Sequence, residues 1–316
     1  MDYAGHEEPW REWRAALAGP RMHHAWLLAG PRGVGKGAFA LQAARELVGG
    51  PQSGDHPDII VLTHLPKDEK EEAARDEGKP YETRRNITVA QVRAMQQRLN
   101  TRPTLGDRRA VILDPADDLE GGASNALLKS LEEPPQGTFF LLVGHRIGRL
   151  LPTIRSRCRV LRFPQVPDGE IDAILRREAP QADAATRAAA IAASAGSPGA
   201  ALDFVGLGLG ELHREMVALV REGDPDFARR GALAEAIGAR PDRQRQLAAI
   251  ELARSVVAAA MRDVTLPAVP ALAEAHTELS RLAAQAPTYN FDSGLLVMEI
   301  GSLLAALGDP RGAAHG

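Results

Sequence analysis

The sequence reads Trp26-Leu-Leu-Ala-Gly-Pro-Arg-Gly-Val-Gly-Lys36-Gly37 at the point that determines its fold. A short apolar run comes first and a helical pattern follows, so the motif G-x-x-x-x-G-K stands between a strand and a helix, the context of a phosphate loop. Glycines let backbone N–H groups approach a phosphate, while the helix N-terminus and the lysine add positive charge. The candidate nucleotide-binding residues of this loop are Gly30, Gly33, Gly35, Lys36 and Gly37.

Short apolar runs alternate with helical patterns through the first half of the chain. The runs lack strict polar alternation and are bounded by glycine, proline or charge, as strands buried on both faces of a parallel sheet are. They are Ala25–Ala29, Asp58–Leu62, Arg109–Leu113, Phe139–Val143 and Arg159–Phe163. The clearest helical patterns between them are Ala38–Val48, Thr88–Leu99 and Ala123–Leu131. We therefore predict an α/β domain with a parallel sheet over residues 1–165.

The composition changes after Pro164 and Pro167 to alanine-rich helical patterns in which no strand is evident. Capping residues divide the next stretch into three short helices, which predicts a small three-helix unit over residues 166–207. Apolar positions then recur at helical spacing, which predicts an all-α domain of about five helices over residues 208–316.

One segment of the first domain, Lys67 to Arg85, mixes charges of both signs and has almost no apolar residues. We predict a solvated surface excursion, because segments without apolar surface rarely order themselves. A partner-binding arm is the alternative interpretation.

Composition excludes several classes of protein. The net charge of −3 gives no global attraction to nucleic acid, and Cys158 is the only cysteine, which excludes intrachain disulfides and zinc sites built from several thiolates. No apolar run approaches the roughly 18 residues that span a bilayer. We expect a cytoplasmic protein that makes no membrane contact and holds no metal.

The phosphate-loop motif is incomplete. Its last position normally carries a serine or threonine whose hydroxyl binds magnesium, and here it is Gly37. Asp114 follows the third strand, where a carboxylate holds magnesium through water, but the next position, normally a glutamate base, is Pro115. Loss of such a base removes about 10²- to 10⁴-fold of rate. We predict no turnover by this chain. Two alternatives remain open: the loop is only a strand-to-helix turn, and Asp114 only caps a turn.

Two further stretches carry a resemblance. Asn125-Ala-Leu-Leu-Lys-Ser-Leu-Glu-Glu-Pro-Pro135, followed by Ser156-Arg157-Cys158, resembles the clamp-loader branch of the AAA+ ATPases. The stretch from His23 to Pro31 and the segment from Gly148 to Cys158 strengthen the resemblance. It implies an α/β P-loop domain (1–165), a three-helix lid (166–207) and an all-α collar that joins subunits (208–316).

The resemblance also implies roles for single residues. In this branch the serine-arginine-cysteine motif presents an arginine finger to the nucleotide of the adjacent subunit, so Arg157 is the candidate catalytic residue and acts in trans. Ser156 and Cys158 are then packing positions. The alternative is that Arg157 merely pairs with a local carboxylate. An intact finger beside a degenerate loop implies a subunit that does not hydrolyse ATP, requires no cofactor and binds ATP or ADP weakly at most.

Other departures from the branch agree with that interpretation. The second sensor motif normally supplies an arginine, but its positions are Gly199 and Ala200; the first sensor falls near Gly144 and His145. Members of this branch often hold a four-cysteine zinc module after the second strand, and this chain has the charged segment there instead. The implied partners are motor and clamp-opening subunits and, through the complex, a sliding clamp and primed DNA. The competing interpretations are an ATP-hydrolysing motor subunit of the same complex and a small-molecule P-loop kinase.

Overall fold

The computed structural model describes residues 5–49, 54–79, 81–239, 241–263, 268–286 and 292–308. The chain divides into two compact units, Met1–Val166 and Pro167–Gly316, and each is described by itself. Residues 309–316 of the predicted collar and residues 1–4 of the predicted α/β domain lie outside the described residues.

The first unit is an α/β structure. Its helices are α1 (Glu7–Ala18), α2 (Lys36–Val48), α3 (Glu69–Asp76), α4 (Val89–Leu99), α5 (Gly121–Glu132) and α6 (Pro152–Arg155). Its strands are β1 (Ala25–Ala29), β2 (Ile59–Leu62), β3 (Arg109–Leu113), β4 (Thr138–Gly144) and β5 (Arg159–Arg162). All five predicted strands are present, and β1 and β3 have the predicted bounds.

The strands form one parallel sheet in the order β2-β3-β4-β1-β5. Every residue of β1 and β3 is buried, which explains why these runs are apolar without alternation. The edge strands β2 and β5 are less buried, because one face of each meets solvent at Val61 and Val160. The predicted α/β fold is confirmed.

The N-terminal helix α1 was not part of the sequence-based prediction. It packs Trp10 and Trp13 against Phe39 of α2 and Trp26 of β1, with ring centroids 4.1 Å apart for Trp10 and Phe39 and 5.4 Å apart for the two tryptophans. Arg159 of β5 pairs with Glu12 at 2.7 Å. These contacts fix the start of the chain beside the phosphate loop.

The charged segment is more ordered than its composition predicts. Helix α3 forms within it although none of its residues is buried. Asp68 caps the helix by accepting a hydrogen bond from the Glu71 N–H, and Pro66 and Thr83 form an antiparallel bridge at its base. The segment is a solvated surface excursion, as predicted, and capping and backbone pairing give it the order that apolar burial does not.

The second unit is helical throughout its described residues. It contains α7 (Asp168–Glu178), α8 (Ala184–Ser194), α9 (Pro198–Gly206), α10 (Gly210–Glu222), α11 (Ala228–Ile237), α12 (Arg243–Asp263), α13 (Val269–Gln285) and α14 (Ser293–Gly308). The Asp183 and Ser197 side chains cap α8 and α9. Within the part of the chain that the structure describes, no helix has both the length and the apolarity to span a membrane.

Candidate functional site

The glycine loop joins β1 to α2, as its motif predicts. Gly35 is the N-cap of α2 and has φ of 99°, a left-handed conformation that favours glycine. A β-carbon at Gly30 would clash with the backbone carbonyl of Phe163, because the loop passes close to the end of β5. Both glycines are therefore required by the shape of the loop, whether or not a phosphate binds.

Lys36 is the first residue of α2 and is only 2% exposed. Its Nζ donates hydrogen bonds to the carbonyl of Gly30, at 2.8 Å, and to the carbonyl of Pro31. Burial lowers the pKa of Lys36 to about 8, and the negative charges of Asp114 and Asp117 oppose that drop. The lysine ammonium is therefore hydrogen-bonded to the carbonyls of its own loop.

Gly37 and Asp114 lie against each other. A β-carbon at position 37 would clash with Asp114 Oδ2, so this carboxylate fills the place where a serine or threonine side chain would begin. Burial raises the pKa of Asp114, while the charge of Lys36 acts in the opposite direction. The structure thus brings together Gly30, Lys36, Gly37 and Asp114, as the sequence predicts.

The carboxylate of Asp117 holds the loop that follows β4. It accepts hydrogen bonds from the backbone N–H groups of His145, at 2.9 Å, and Arg146, at 3.0 Å, and its side chain is 1% exposed. Burial, with the added effect of the Lys36 charge, lowers the pKa of His145 to about 4, so its imidazole is neutral at pH 7. Sequence reasoning assigned no role to Asp117, and only its position after the third strand could have indicated one.

The residues present fit the phosphates of a magnesium nucleotide better than they fit its magnesium ion. The glycine loop and Lys36 can bind phosphate through N–H donors and charge. Magnesium needs oxygen ligands in near-octahedral geometry, and position 37 supplies none. In the described ranges, no group of three or more histidine, cysteine or acidic side chains is placed to hold a metal ion. The loop therefore fits phosphate, while position 37 lacks the oxygen ligand that the complete motif would offer to magnesium.

The hydrogen bonds and the ion pair of Arg157 involve none of these residues. It follows the short helix α6, and its side chain is 35% exposed. Nη2 pairs with Glu132 Oε1 at 2.7 Å, and Nη1 donates to the carbonyl of Thr153 at 3.0 Å. The local carboxylate that the alternative interpretation required is therefore present, on an arginine that solvent still reaches. Burial raises the pKa of the neighbouring Cys158 to about 12, which makes its thiol an inert packing group.

The resemblance assigns the second sensor to Gly199 and Ala200 in the second unit. Gly199 and Ala200 lie in the first turns of α9, and neither has a side chain that could contact phosphate. His6 is a residue that sequence reasoning missed. It is 2% exposed, its Nε2 contacts the Val34 carbonyl in the phosphate loop, and its ring packs on Phe163 with centroids 4.9 Å apart.

A family model described as "DNA polymerase III, delta subunit" matches residues 5–167, slightly more than half of the chain. This chain belongs to the DNA polymerase III delta-subunit family. Curated relatives from several bacteria, each named DNA polymerase III subunit delta', are 30–35% identical to it. This confirms the delta-prime resemblance that a degenerate loop with an intact Ser156-Arg157-Cys158 motif predicts.

Individual relatives define how far the similarity extends. The delta' subunit of Pseudomonas aeruginosa is 35% identical over 233 residues, which cover 68% of this chain and 66% of the relative. The chain thus spans slightly less than two thirds of that relative. The tau subunit of DNA polymerase III from Bacillus subtilis is 29% identical over 175 residues, 52% of this chain and 29% of the relative.

A solved structure shows the same fold over almost the whole chain. It is a DNA polymerase III gamma subunit-related protein from Thermotoga maritima, with a TM-score of 0.52 and 18% identity, covering 96% of this chain and 100% of that one. At that identity the similarity concerns the fold alone, and it agrees with the predicted α/β domain followed by helices.

Proposed function

We propose that this chain is a subunit of a DNA polymerase III clamp loader that does not hydrolyse ATP itself. In this proposal it supplies Arg157 to the nucleotide bound by an adjacent motor subunit. Family membership and the relatives named delta' support the assignment to DNA polymerase III. The finer statement rests on the contacts within the first unit.

The packing of Asp114 against Gly37 carries the proposal. A motor needs a hydroxyl at position 37 and a carboxylate free to hold magnesium through water. Here the carboxylate fills the space that the hydroxyl-bearing side chain would need, and the Lys36 ammonium is bound to carbonyls of its own loop. Pro115 offers no proton acceptor at the adjacent position. The hydroxyl and the base are therefore absent, and the carboxylate and the ammonium are engaged in other contacts, so four parts of the hydrolytic machinery are affected.

Arg157 has the properties that a contribution in trans requires. A guanidinium is always ionised, and its planar fork matches phosphate oxygens, so it can neutralise charge that develops on a transferring phosphoryl group. Its contacts with Glu132 and Thr153 hold it near the surface, and neither partner belongs to the phosphate loop. An exposed arginine in this motif can act on a neighbour more easily than on its own chain's nucleotide.

The proposal includes partners and a division of labour. Motor and clamp-opening subunits are the direct partners, and the sliding clamp and primed DNA are reached through the complex. Helices α10 to α14 form the collar that joins neighbouring subunits, and α7 to α9 form the lid. No cofactor is required, and ATP or ADP binds weakly through the glycine loop and Lys36.

The purified chain provides the test. We expect no ATP turnover above background, and a fluorescent ATP analogue should bind weakly and without dependence on magnesium, because position 37 has no hydroxyl and Asp114 is engaged against it. Appreciable turnover by the chain alone, or sub-micromolar binding that requires magnesium, would contradict the proposal.

A motor subunit is the second candidate. The similarity to relatives named gamma or tau and the retained Lys36 favour it. Gly37, Pro115 and the absence of an arginine at Gly199 and Ala200 oppose it, since a motor would have lost three separate contributions to hydrolysis. The turnover assay on the purified chain separates the two candidates directly.

A further inference from the structure

Glu132 is placed where helix energetics disfavour it. It is the last residue of α5, and a negative charge at a helix C-terminus is repelled by the partial charge of the terminal carbonyls. The next residue, Glu133, is also acidic, yet the two differ in their contacts. Glu132 pairs with Arg157, while the Glu133 side chain forms no hydrogen bond or ion pair within the part of the chain that the structure describes. The stability of α5 does not account for a carboxylate at position 132, so we look to its contact with Arg157.

Both ends of the Glu132–Arg157 pair rest on fixed backbone. Leu131 precedes Glu132 and Ile154 lies three residues before Arg157, and these two side chains are buried in the same hydrophobic core at 2% and 0% exposure. The Arg157 N–H donates to the Ile154 carbonyl at 3.1 Å. The core therefore sets the distance between the carboxylate and the base of the arginine side chain.

The pair leaves part of the guanidinium available. An arginine has five N–H donors in a planar fork. Nη2 uses one on Glu132, and Nη1 uses donors on the Thr153 carbonyl and, at 3.5 Å, on Ser156 Oγ. Two sides of the fork are thus anchored, which fixes its plane while further donors remain for an incoming oxygen.

We propose that Glu132 is a positioning residue for Arg157. It holds the guanidinium in the orientation in which it meets the nucleotide of the adjacent subunit, so that less side-chain freedom is lost when the complex reaches the transition state. This inference rests on the proposed function of Arg157 in trans. An exposed pair of this kind shifts the population of the positioned conformer by about 2- to 5-fold.

The test uses the full chain assembled with the motor and clamp-opening subunits, and measures ATP-driven loading of the clamp on primed DNA. Glu132→Gln should lower the maximal rate by about 2- to 5-fold and leave the KM for ATP unchanged, because the finger acts on the transition state. Glu133→Gln is the matched control, an adjacent carboxylate on the same helix end, and it should leave the rate unchanged.

A double-mutant cycle distinguishes positioning from a general structural effect. In an Arg157→Ala background, Glu132→Gln should cause no further loss, because it acts only through the arginine. Equal losses in both backgrounds, an unchanged rate or a faster rate for Glu132→Gln would overturn the inference while leaving the finger intact. If Arg157→Ala itself has no effect, the proposed function fails and the inference fails with it.

Discussion

Two cations of the first unit, Lys36 and Arg157, belong to motifs that resemble phosphate-contacting ones. The two side chains differ in their exposure and in their hydrogen-bond partners. Lys36 is 2% exposed and bound to the carbonyls of its own loop. The Arg157 side chain is 35% exposed and bound to a carboxylate that is itself half exposed. One cation is enclosed within the chain, and the other is presented at its surface.

The difference in exposure determines how many existing contacts a phosphate ligand would have to break at each cation. To use Lys36, a ligand must displace buried hydrogen bonds and the contact between Asp114 and Gly37. To use Arg157, a ligand needs only the N–H donors that the exposed ion pair with Glu132 leaves available, so no buried contact is broken. Lys36 of the phosphate loop is thus buried, and under the proposed function Arg157 is the cation that meets a phosphate.

Removing the exposed cation should give the largest functional effect. In the assembled complex, Arg157→Ala removes a group worth up to about 10³-fold at one neighbouring active site, so DNA- and clamp-stimulated ATPase should fall. The total falls less, because other motor subunits continue, while clamp loading, which needs coordination, falls further. The chain itself should lose no more than about 0.5 kcal/mol of stability. A large drop in its melting temperature would show that Arg157 is structural instead.

Substitutions in the buried loop that Asp117 holds should lower the stability of the chain. Asp117→Ala removes the acceptor of two backbone N–H groups, at His145 and Arg146, and should lower the free energy of unfolding by about 2–4 kcal/mol, measured by urea denaturation. Asp118→Ala is the matched control, because its partners His64, Arg146 and Arg149 are partly exposed, and it should cost within about 1 kcal/mol. Equal costs for the two variants would contradict the account of a closed loop.

Restoring a side chain at position 37 tests the contact with Asp114. Gly37→Thr should destabilise the chain by about 1 kcal/mol, since the added atoms force the Asp114 carboxylate to rotate away. Gly121→Thr places the same side chain in the first turn of another helix, where a β-carbon meets no atom within 4 Å. If both substitutions have the same effect in urea denaturation, Asp114 does not fill the space that we describe.

The pKa of Lys36 makes stability depend on pH. The pKa of Lys36 is about 8 in the folded chain and 10.5 for an unperturbed lysine, so between these pH values the unfolded chain binds more protons, and the stability contributed by this group rises with pH. The slope is bounded at about 1.4 kcal/mol per pH unit for one proton. Lys36→Met should lack that rise. Curves that run parallel from pH 8 to 10.5 would show that the folded chain does not lower this pKa.

Much of the first unit could be predicted from the sequence, because its strands are apolar runs and its loop is a motif. Two strands have the predicted bounds, and the phosphate-loop residues and Asp114 come together as expected. Helix α1 was missed because its buried Trp10 and Trp13 lie among charged residues, and α3 was missed because it buries nothing.

The contacts on which the proposals rest could not be predicted. Nothing in the sequence pairs Glu132 with Arg157, which are 25 positions apart, or places His6 on the Val34 carbonyl, because both contacts depend on how helices pack on the sheet. The side-chain direction of Lys36 is likewise a tertiary property. A motif indicates which residues meet, and the packing determines which of them remain accessible.

The most direct test of the proposal that this chain does not itself hydrolyse ATP is Lys36→Ala in the assembled complex, assayed beside Arg157→Ala for clamp-stimulated ATPase. Because Lys36 serves only its own loop, the account predicts an ATPase rate within about 2-fold of the unmodified complex, a free-energy difference of roughly 0.4 kcal/mol. Arg157→Ala should be clearly slower in the same assay. Loss of activity on Lys36→Ala with no change on Arg157→Ala would contradict the account and identify this chain as a motor.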